Sequence, residues 1–204
     1  MSKINSPGKK KMFDAKTVIV WFFIIIMSFS IGGFLFNGSG DAESISYNGF
    51  NIYRQGNIWM TKINGKALPF SYLPSDLEQI DVGPGVKDAF LARSNIFVSF
   101  DPNAEELQAI EIARLELRED LANFYNIRVV DAILNASDVY ALPKADCRNA
   151  TGFDNVLVLQ QFSQDLNLTP SIMLEGQCIV ARGDAREFVM IKDRLMYELA
   201  GVMK

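Results

Sequence analysis

The sequence predicts an α+β protein: an N-terminal transmembrane helix followed by one mixed-sheet domain with two main helices packed on one face. Three observations carry this expectation. An uncharged apolar run, Thr17 to Phe36 (TVIVWFFIIIMSFSIGGFLF), follows a lysine-rich head. Aromatic-rich, alternating segments broken by glycine-containing turns open the remainder. Two helical stripes, each with apolar residues three and four apart, then alternate with strand-like runs.

Residues 1–16 carry Lys3, Lys9, Lys10, Lys11 and Lys16 against Asp14 alone. Lysine beside a first span is retained on the cytoplasmic side, so a cytoplasmic basic head and an outer C-terminal domain are expected, in a single-pass cell-membrane protein. As a helix, residues 17–36 span about 30 Å, the hydrocarbon thickness of a bilayer. A cleaved signal peptide normally has a shorter apolar region ending at a small-x-small site, for which only Gly38-Ser39-Gly40 qualifies. A pilin-type leader fits less well, because Lys16 stands where an apolar residue is needed and Gly38-Ser39-Gly40 interrupts the helix. A retained anchor is the reading adopted. Ser28 and Gly32 make a small-xxx-small pair within it. Residues 37–43 (NGSGDAE) read as a short linker. Residues 44–204 have the length of a single domain with its own core.

Within that domain, Ser46 to Arg54 and Asn57 to Ile63 read as strands parted at Gln55-Gly56. Asn64-Gly65 predicts a type I′ hairpin turn, since both central positions need positive φ. Leu68, Phe70 and Tyr72 alternate as a half-buried strand, and Pro69 assigns that strand to an edge. Next comes a β-α-β unit. Asn95 to Phe100 is a strand, Asp101-Pro102-Asn103 starts a helix, and Asn103 with Glu106 forms a capping box. Leu107, Ile110, Ala113, Leu117, Leu121 and Phe124 are its apolar stripe, and Ile127 to Leu134 returns as a strand. Glu105, Glu106, Glu111, Glu116, Glu119, Asp120, Arg114 and Arg118 read as the solvated face of the same helix. Val156 to Gln161, Ser171 to Leu174 and Gln177 to Ala181 are further strands. Asp184 with Glu187 caps a closing helix whose buried stripe is Phe188, Ile191, Leu195 and Leu199, and Gly201 ends it.

Two features bear on compartment independently of the lysines. Cys147 and Cys178 lie beyond the apolar run in no metal-ligand spacing, and an intramolecular disulfide is expected, with a pair of buried thiols as the alternative. Four N-x-[ST] sequons mark Asn37, Asn135, Asn149 and Asn167 as glycosylation candidates.

The chain contains no histidine. This removes the commonest general base, the commonest metal ligand and every Ser-His or Cys-His dyad. Nucleophile-elbow, phosphate-loop, dinucleotide and calcium-loop motifs are absent, so no catalytic, cofactor-binding or metal site and no cofactor is assigned. Carboxylates alone can hydrolyse glycosides, and Asp76, Glu78, Asp81 and Asp88 flank loops where such a pair could lie. Arg182-Gly183-Asp184 spells an adhesion tripeptide, but its place reads as strand end, turn and helix cap. An acidic outer region opposes nucleic-acid binding, which needs clustered Lys and Arg.

The stretches YNGFNIYRQGNIWMTKINGKALPFSYLPSDLEQI and GQCIVARGDAREFVMIKDRLMYELAGVMK resemble uncharacterised archaeal single-pass membrane proteins with a small cysteine-bearing extracytoplasmic domain. The resemblance implies a place and a topology and carries over no catalytic residue. The expected function is a membrane-anchored extracytoplasmic module, non-catalytic, that binds a protein partner, forms a homo-oligomer or joins an envelope complex. The alternative is a membrane-anchored carboxylate-dependent hydrolase or small-ligand receptor.

Overall fold

A computed structural model describes residues 19–27, 43–105, 107–150, 154–162 and 168–204. Residues 19–27 form an apolar helical segment, α1. The basic head, the rest of the 17–36 run and residues 37–42 lie outside the described residues. So do Asn37, Asn167 and Glu106, the expected partner of Asn103 in a capping box. Among the described residues no helix is long and apolar enough to cross a membrane. The chain divides into two compact units at Ala42/Glu43, and the larger unit, Glu43–Lys204, is described by itself.

That unit is α+β, with two sheets where the sequence predicts one. The first is an antiparallel meander in the order β1-β2-β3-β4: β1 (Ser44–Tyr47), β2 (Phe50–Gln55), β3 (Ile58–Ile63) and β4 (Lys66–Phe70). The single strand expected over Ser46 to Arg54 is broken at Asn48-Gly49, where φ is 48° and 85°. Asn64-Gly65 repeats this geometry at 51° and 81°. Both are two-residue turns with positive φ throughout, which asparagine and glycine tolerate and which match the twist of the flanking strands. Pro69 sits in β4 at the sheet edge, opposite Met60. It falls at a register position whose N–H would face away from β3, so the missing donor costs no ladder bond.

The second sheet is six-stranded and mixed, in the order β5-β9-β10-β8-β6-β7. Its strands are β5 (Asp81–Val82), β6 (Asn95–Phe100), β7 (Arg128–Ile133), β8 (Asn155–Gln161), β9 (Ser171–Glu175) and β10 (Cys178–Gly183). β7, β6, β8 and β10 run parallel to one another, and β9 is antiparallel to β10. α2 (Val86–Leu91) follows β5, α3 (Leu107–Tyr125) crosses from β6 to β7, and α4 (Phe188–Ala200) closes the chain. The Glu187 carboxylate accepts the Asp184 N–H at 2.7 Å, half of the reciprocal arrangement of a capping box. Gly201 ends α4 at φ 75°, where its amide bonds back to Glu198 and Tyr197.

Strand alternation sends Leu157, Leu159, Ile179 and Ala181 to the face that carries α3 and α4, and Val156, Val158, Cys178 and Val180 to the other. Parallel strands need both faces covered. On the second face no α-helix does this among the described residues. The connection after β7 does it instead: the Ser99 hydroxyl donates to the Ala145 carbonyl at 2.6 Å, Ala150 packs on the valines, and Cys147 is disulfide-bonded to Cys178 with Cα atoms 5.1 Å apart.

α4 is covered on two sides. Phe188, Ile191, Leu195 and Leu199 face the six-stranded sheet, as their spacing requires. The opposite stripe, Asp193 and Tyr197, meets the meander. The Phe70 and Tyr197 rings stack with centroids 3.6 Å apart, and the Tyr197 hydroxyl donates to the Tyr72 carbonyl at 3.0 Å. Asn48 donates to the Val202 carbonyl at 2.9 Å, tying the first hairpin to the C-terminal tail.

Candidate functional site

Burying α4 all round forces three consecutive charged residues, Lys192, Asp193 and Arg194, out of water, at 5%, 0% and 5% exposure. An unpaired buried ion is costly, so each needs a partner. Arg194 reaches Glu198 one turn on at 2.9 Å. Asp193 turns toward the meander, where one oxygen accepts the Ser71 and Tyr72 N–H groups at 2.7 and 2.9 Å and the other lies 2.6 Å from Lys192 Nζ. Lys192 also reaches α3, with Nζ 3.0 Å from Glu116 and 3.6 Å from Asp120.

Lys192, Glu116 and Asp120 line a cleft of about 270 Å³ between the meander and α3. Ile58, Pro69 and Phe70 make an apolar wall, and Ser71, Glu116, Glu119, Asp120 and Lys192 make a polar one. The solvated-face reading of the α3 charges therefore holds for the exposed Glu119 but fails for Asp120, which is 6% exposed, and for Arg114. Residues Glu116 and Asp120 lie one helical turn apart and face the second layer that α4 and the meander build.

The electrostatics of the cleft are set by burial. It pushes the Asp120 carboxyl up from 3.8 to about 6, against the pull of the Lys192 ammonium and with the repulsion of Asp193 and Glu116. Burial likewise raises Asp193, with Lys192 and the two backbone donors opposing it. For Lys192 burial acts downward, yet Asp193, Asp120 and Glu116 outweigh it and hold the amine above its ordinary value. A lysine kept as an ammonium is not a nucleophile, which argues against imine chemistry here. The buried Tyr125 hydroxyl has no hydrogen-bond partner, and burial and the Asp120 charge raise its pKa to about 12.

A second ionic group is structural in form. Asp131 of β7 pairs with Arg114 at 2.6 Å and with Arg118, while Arg114 also pairs with Glu111. The Arg114 guanidinium lies over the Phe100 ring, 5.4 Å from its centroid, and Tyr140 meets that ring edge-on. It locks α3 to β7 across the crossover. A further cleft of about 380 Å³ opens at the carboxyl ends of β6 and β8, lined by Asp101, Asn103, Glu105, Gln160 and Gln161. Open parallel sheets bind ligands at such strand ends. Asp101 is used locally there, accepting the Asn103 N–H at 3.0 Å.

The loop carboxylates named from the sequence are not drawn together in either cleft. Asp76 accepts the Leu73 N–H at 3.2 Å, Glu78 accepts the Tyr47 hydroxyl at 3.1 Å, Asp81 lies in β5 and Asp88 in α2. The Arg182-Gly183-Asp184 tripeptide does not project: Arg182 pairs with Glu175 at 2.6 Å and Gln160 at 3.0 Å, and Gly183 packs under Ile191. Among the described residues no group of three or more acidic or cysteine side chains is placed to hold a metal ion. Asn135 and Asn149 are exposed, and the Asn149 amide oxygen accepts the Asp146 N–H at 2.8 Å. Sequence reasoning missed Lys192 and Asp193. The only signal was a charged triplet inside a helix whose apolar stripe was already complete.

Compared with known protein families, curated proteins and solved structures, the chain matches none.

Proposed function

We propose that the chain is a membrane-anchored extracytoplasmic module that binds a protein partner or forms part of an envelope complex, without catalytic activity of its own. The 17–36 run spans the membrane with the basic head in the cytoplasm, and residues 44–204 form the outer domain. The lysine-led apolar run supports the anchor and its orientation. The observation that carries the outer assignment is the Cys147–Cys178 bond, which fastens the cover of the second sheet face and suits an oxidising space. A short linker keeps the domain close to the bilayer, where a partner in the same membrane meets it at high local concentration.

The test is purification of the intact protein from its native membrane in mild detergent, with mass spectrometry of whatever stays bound. A stoichiometric protein partner is expected, and recovery alone as a monomer overturns the reading. A second reading, a carboxylate-dependent hydrolase or small-ligand receptor, draws on the cleft, where Asp120 titrates near 6 beside Glu116 and Glu119. Glycoside turnover by the intact protein that disappears in Asp120→Asn favours that reading instead.

A further inference from the structure

α3 carries two stripes. One, Ile110, Ala113, Leu117 and Leu121, is buried in the core of the domain. On the opposite side Gln108, Ile112, Leu115, Glu119 and Ala122 recur at spacings of four and three, and all five are exposed. Ile112 and Leu115 lie next to each other on that side, 42% and 46% exposed, near the middle of a 19-residue helix. A single exposed apolar residue means little, whereas a repeat of about 3.5 residues with a β-branched residue at one position and Leu at the next is the seam by which helices pair. The helix is already held by the domain beneath it, so the seam needs no further length to fold.

Charge selects the occupant and its direction. Glu111 and Arg118 flank one edge of the stripe and Glu116 the other. A second α3 laid antiparallel, with Ile112 against Leu115 of the second copy, sets Gln108 opposite Glu119 and Glu111 opposite Arg118, and two-fold symmetry makes each contact twice. No like charges meet. A parallel pairing instead sets Glu119 against its counterpart and Glu111 against Glu116. Sliding the antiparallel pair by one heptad brings either the two Arg118 or the two Glu111 side chains together. Like charges held opposite one another are destabilising, so one register survives. Glu111 and Arg118 are preset for it, since Arg114 and Asp131 of their own chain hold them while their side chains stay 23% and 39% exposed.

We infer that the exposed face of α3 is a homodimerisation surface, on which the Ile112–Leu115 stripe packs antiparallel against the same stripe of a second copy of this chain. The inference gives the protein-binding module one partner, the chain itself, and rests on that reading to that extent. A single helix face is smaller than the roughly 800 Å² per partner of a stable interface, so the dimer is a weak one that forms best where two copies share a membrane.

The experiment is sedimentation equilibrium of the full-length protein in a density-matched, uncharged detergent. A monomer–dimer equilibrium is expected, weakened about tenfold or more by Leu115→Glu, which puts a charge into the seam. Gln108→Glu sets like charges opposite Glu119 twice and should weaken it about threefold. Adding Glu119→Lys to Gln108→Glu turns both contacts into ion pairs and should restore the parent constant. Gln108, Leu115 and Glu119 are all exposed, so the variants keep the fold. A chain that stays monomeric, or a dimer indifferent to Leu115→Glu, overturns the inference, the second case including association through Ser28 and Gly32. Failure of the charge exchange to restore the dimer overturns the antiparallel register. A different protein bound to a chain that stays monomeric overturns this inference and leaves the module reading standing. A dimer that answers to the variants and carries no other protein supports the inference and removes the envelope complex from that reading.

Discussion

Asp193 of α4 accepts the Tyr72 backbone N–H at 2.9 Å across 121 residues of sequence, in a site where the aspartate is wholly buried. The same oxygen takes the Ser71 N–H at 2.7 Å. One carboxylate therefore fastens the exit of the meander to the last helix and neutralises Lys192 at 2.6 Å. Replacing Asp193 by Ala strips two buried amides of their acceptor and leaves Lys192 with only the α3 carboxylates. Loss of about 3–5 kcal/mol is expected, the cost of breaking a buried pair from one side. Denaturant unfolding of the variant measures it, and a loss below 1 kcal/mol would show that the contact is weak.

Asp120 is expected to make stability fall with rising pH. Its folded-state pKa is raised from 3.8 to about 6, so within that window the folded chain holds a proton that the unfolded chain has released. The contribution is fully present below about pH 4 and lost as pH climbs past about 6, a change of about 3 kcal/mol for a shift of this size. Asp120→Asn should shrink that limb to the part contributed by the raised Asp193 and unfold at a higher temperature than the parent chain at pH 7.5. Parallel pH profiles for the two proteins would show that Asp120 does not titrate in this way.

The Cys147–Cys178 bond closes a separation of 31 residues. In the chain-entropy account a loop of that length is worth about 3–4 kcal/mol. Joint replacement of both cysteines by alanine should lower stability by that order and loosen the cover over Val156, Val158 and Val180. Amide exchange in β8 and β10 reads the second effect. Peptide mapping under non-reducing conditions checks the bond itself, and recovery of two separately alkylated thiols would exclude it.

Gly183 has no room for a side chain. A Cβ there would stand 2.6 Å from Ile191 Cδ1 and 3.2 Å from a Glu187 carboxylate oxygen, and Ile191 is itself buried. Gly183→Ala should cost about 1–3 kcal/mol by overpacking at the β10–α4 junction. An unchanged melting temperature would mean that the junction yields freely. The result also bears on the adhesion tripeptide, which is held here as packing and not as a presented loop.

Much of the fold was legible from local pattern. β6 coincides with Asn95 to Phe100 as expected, and the stripes of α3 and α4 are buried as their spacing predicts. Asn48-Gly49 carries the same turn signal as Asn64-Gly65, and both of its residues adopt positive φ. Five strands of the second sheet were legible singly, whereas β5 and the separateness of the sheet were not. Strand pairing depends on partners far apart in sequence, and hydrophobic alternation is the same in either sheet.

Local pattern alone accounts for the courses and apolar stripes of α3 and α4, for most strands, for the Asn64-Gly65 turn and for the absence of histidine chemistry, but not for β5, α2 or the break at Asn48-Gly49. Only the tertiary structure decided the cleft. Periodicity reports the preference of a residue for water, and Lys192, Asp193 and Asp120 all read as surface by that measure. Their burial follows from the meander folding back over α4, which brings Ser71 and Tyr72 to Asp193 and sets Lys192 against Glu116 and Asp120. A charge can be buried wherever distant charges and amides repay its lost hydration, and that balance is a property of the assembled layers.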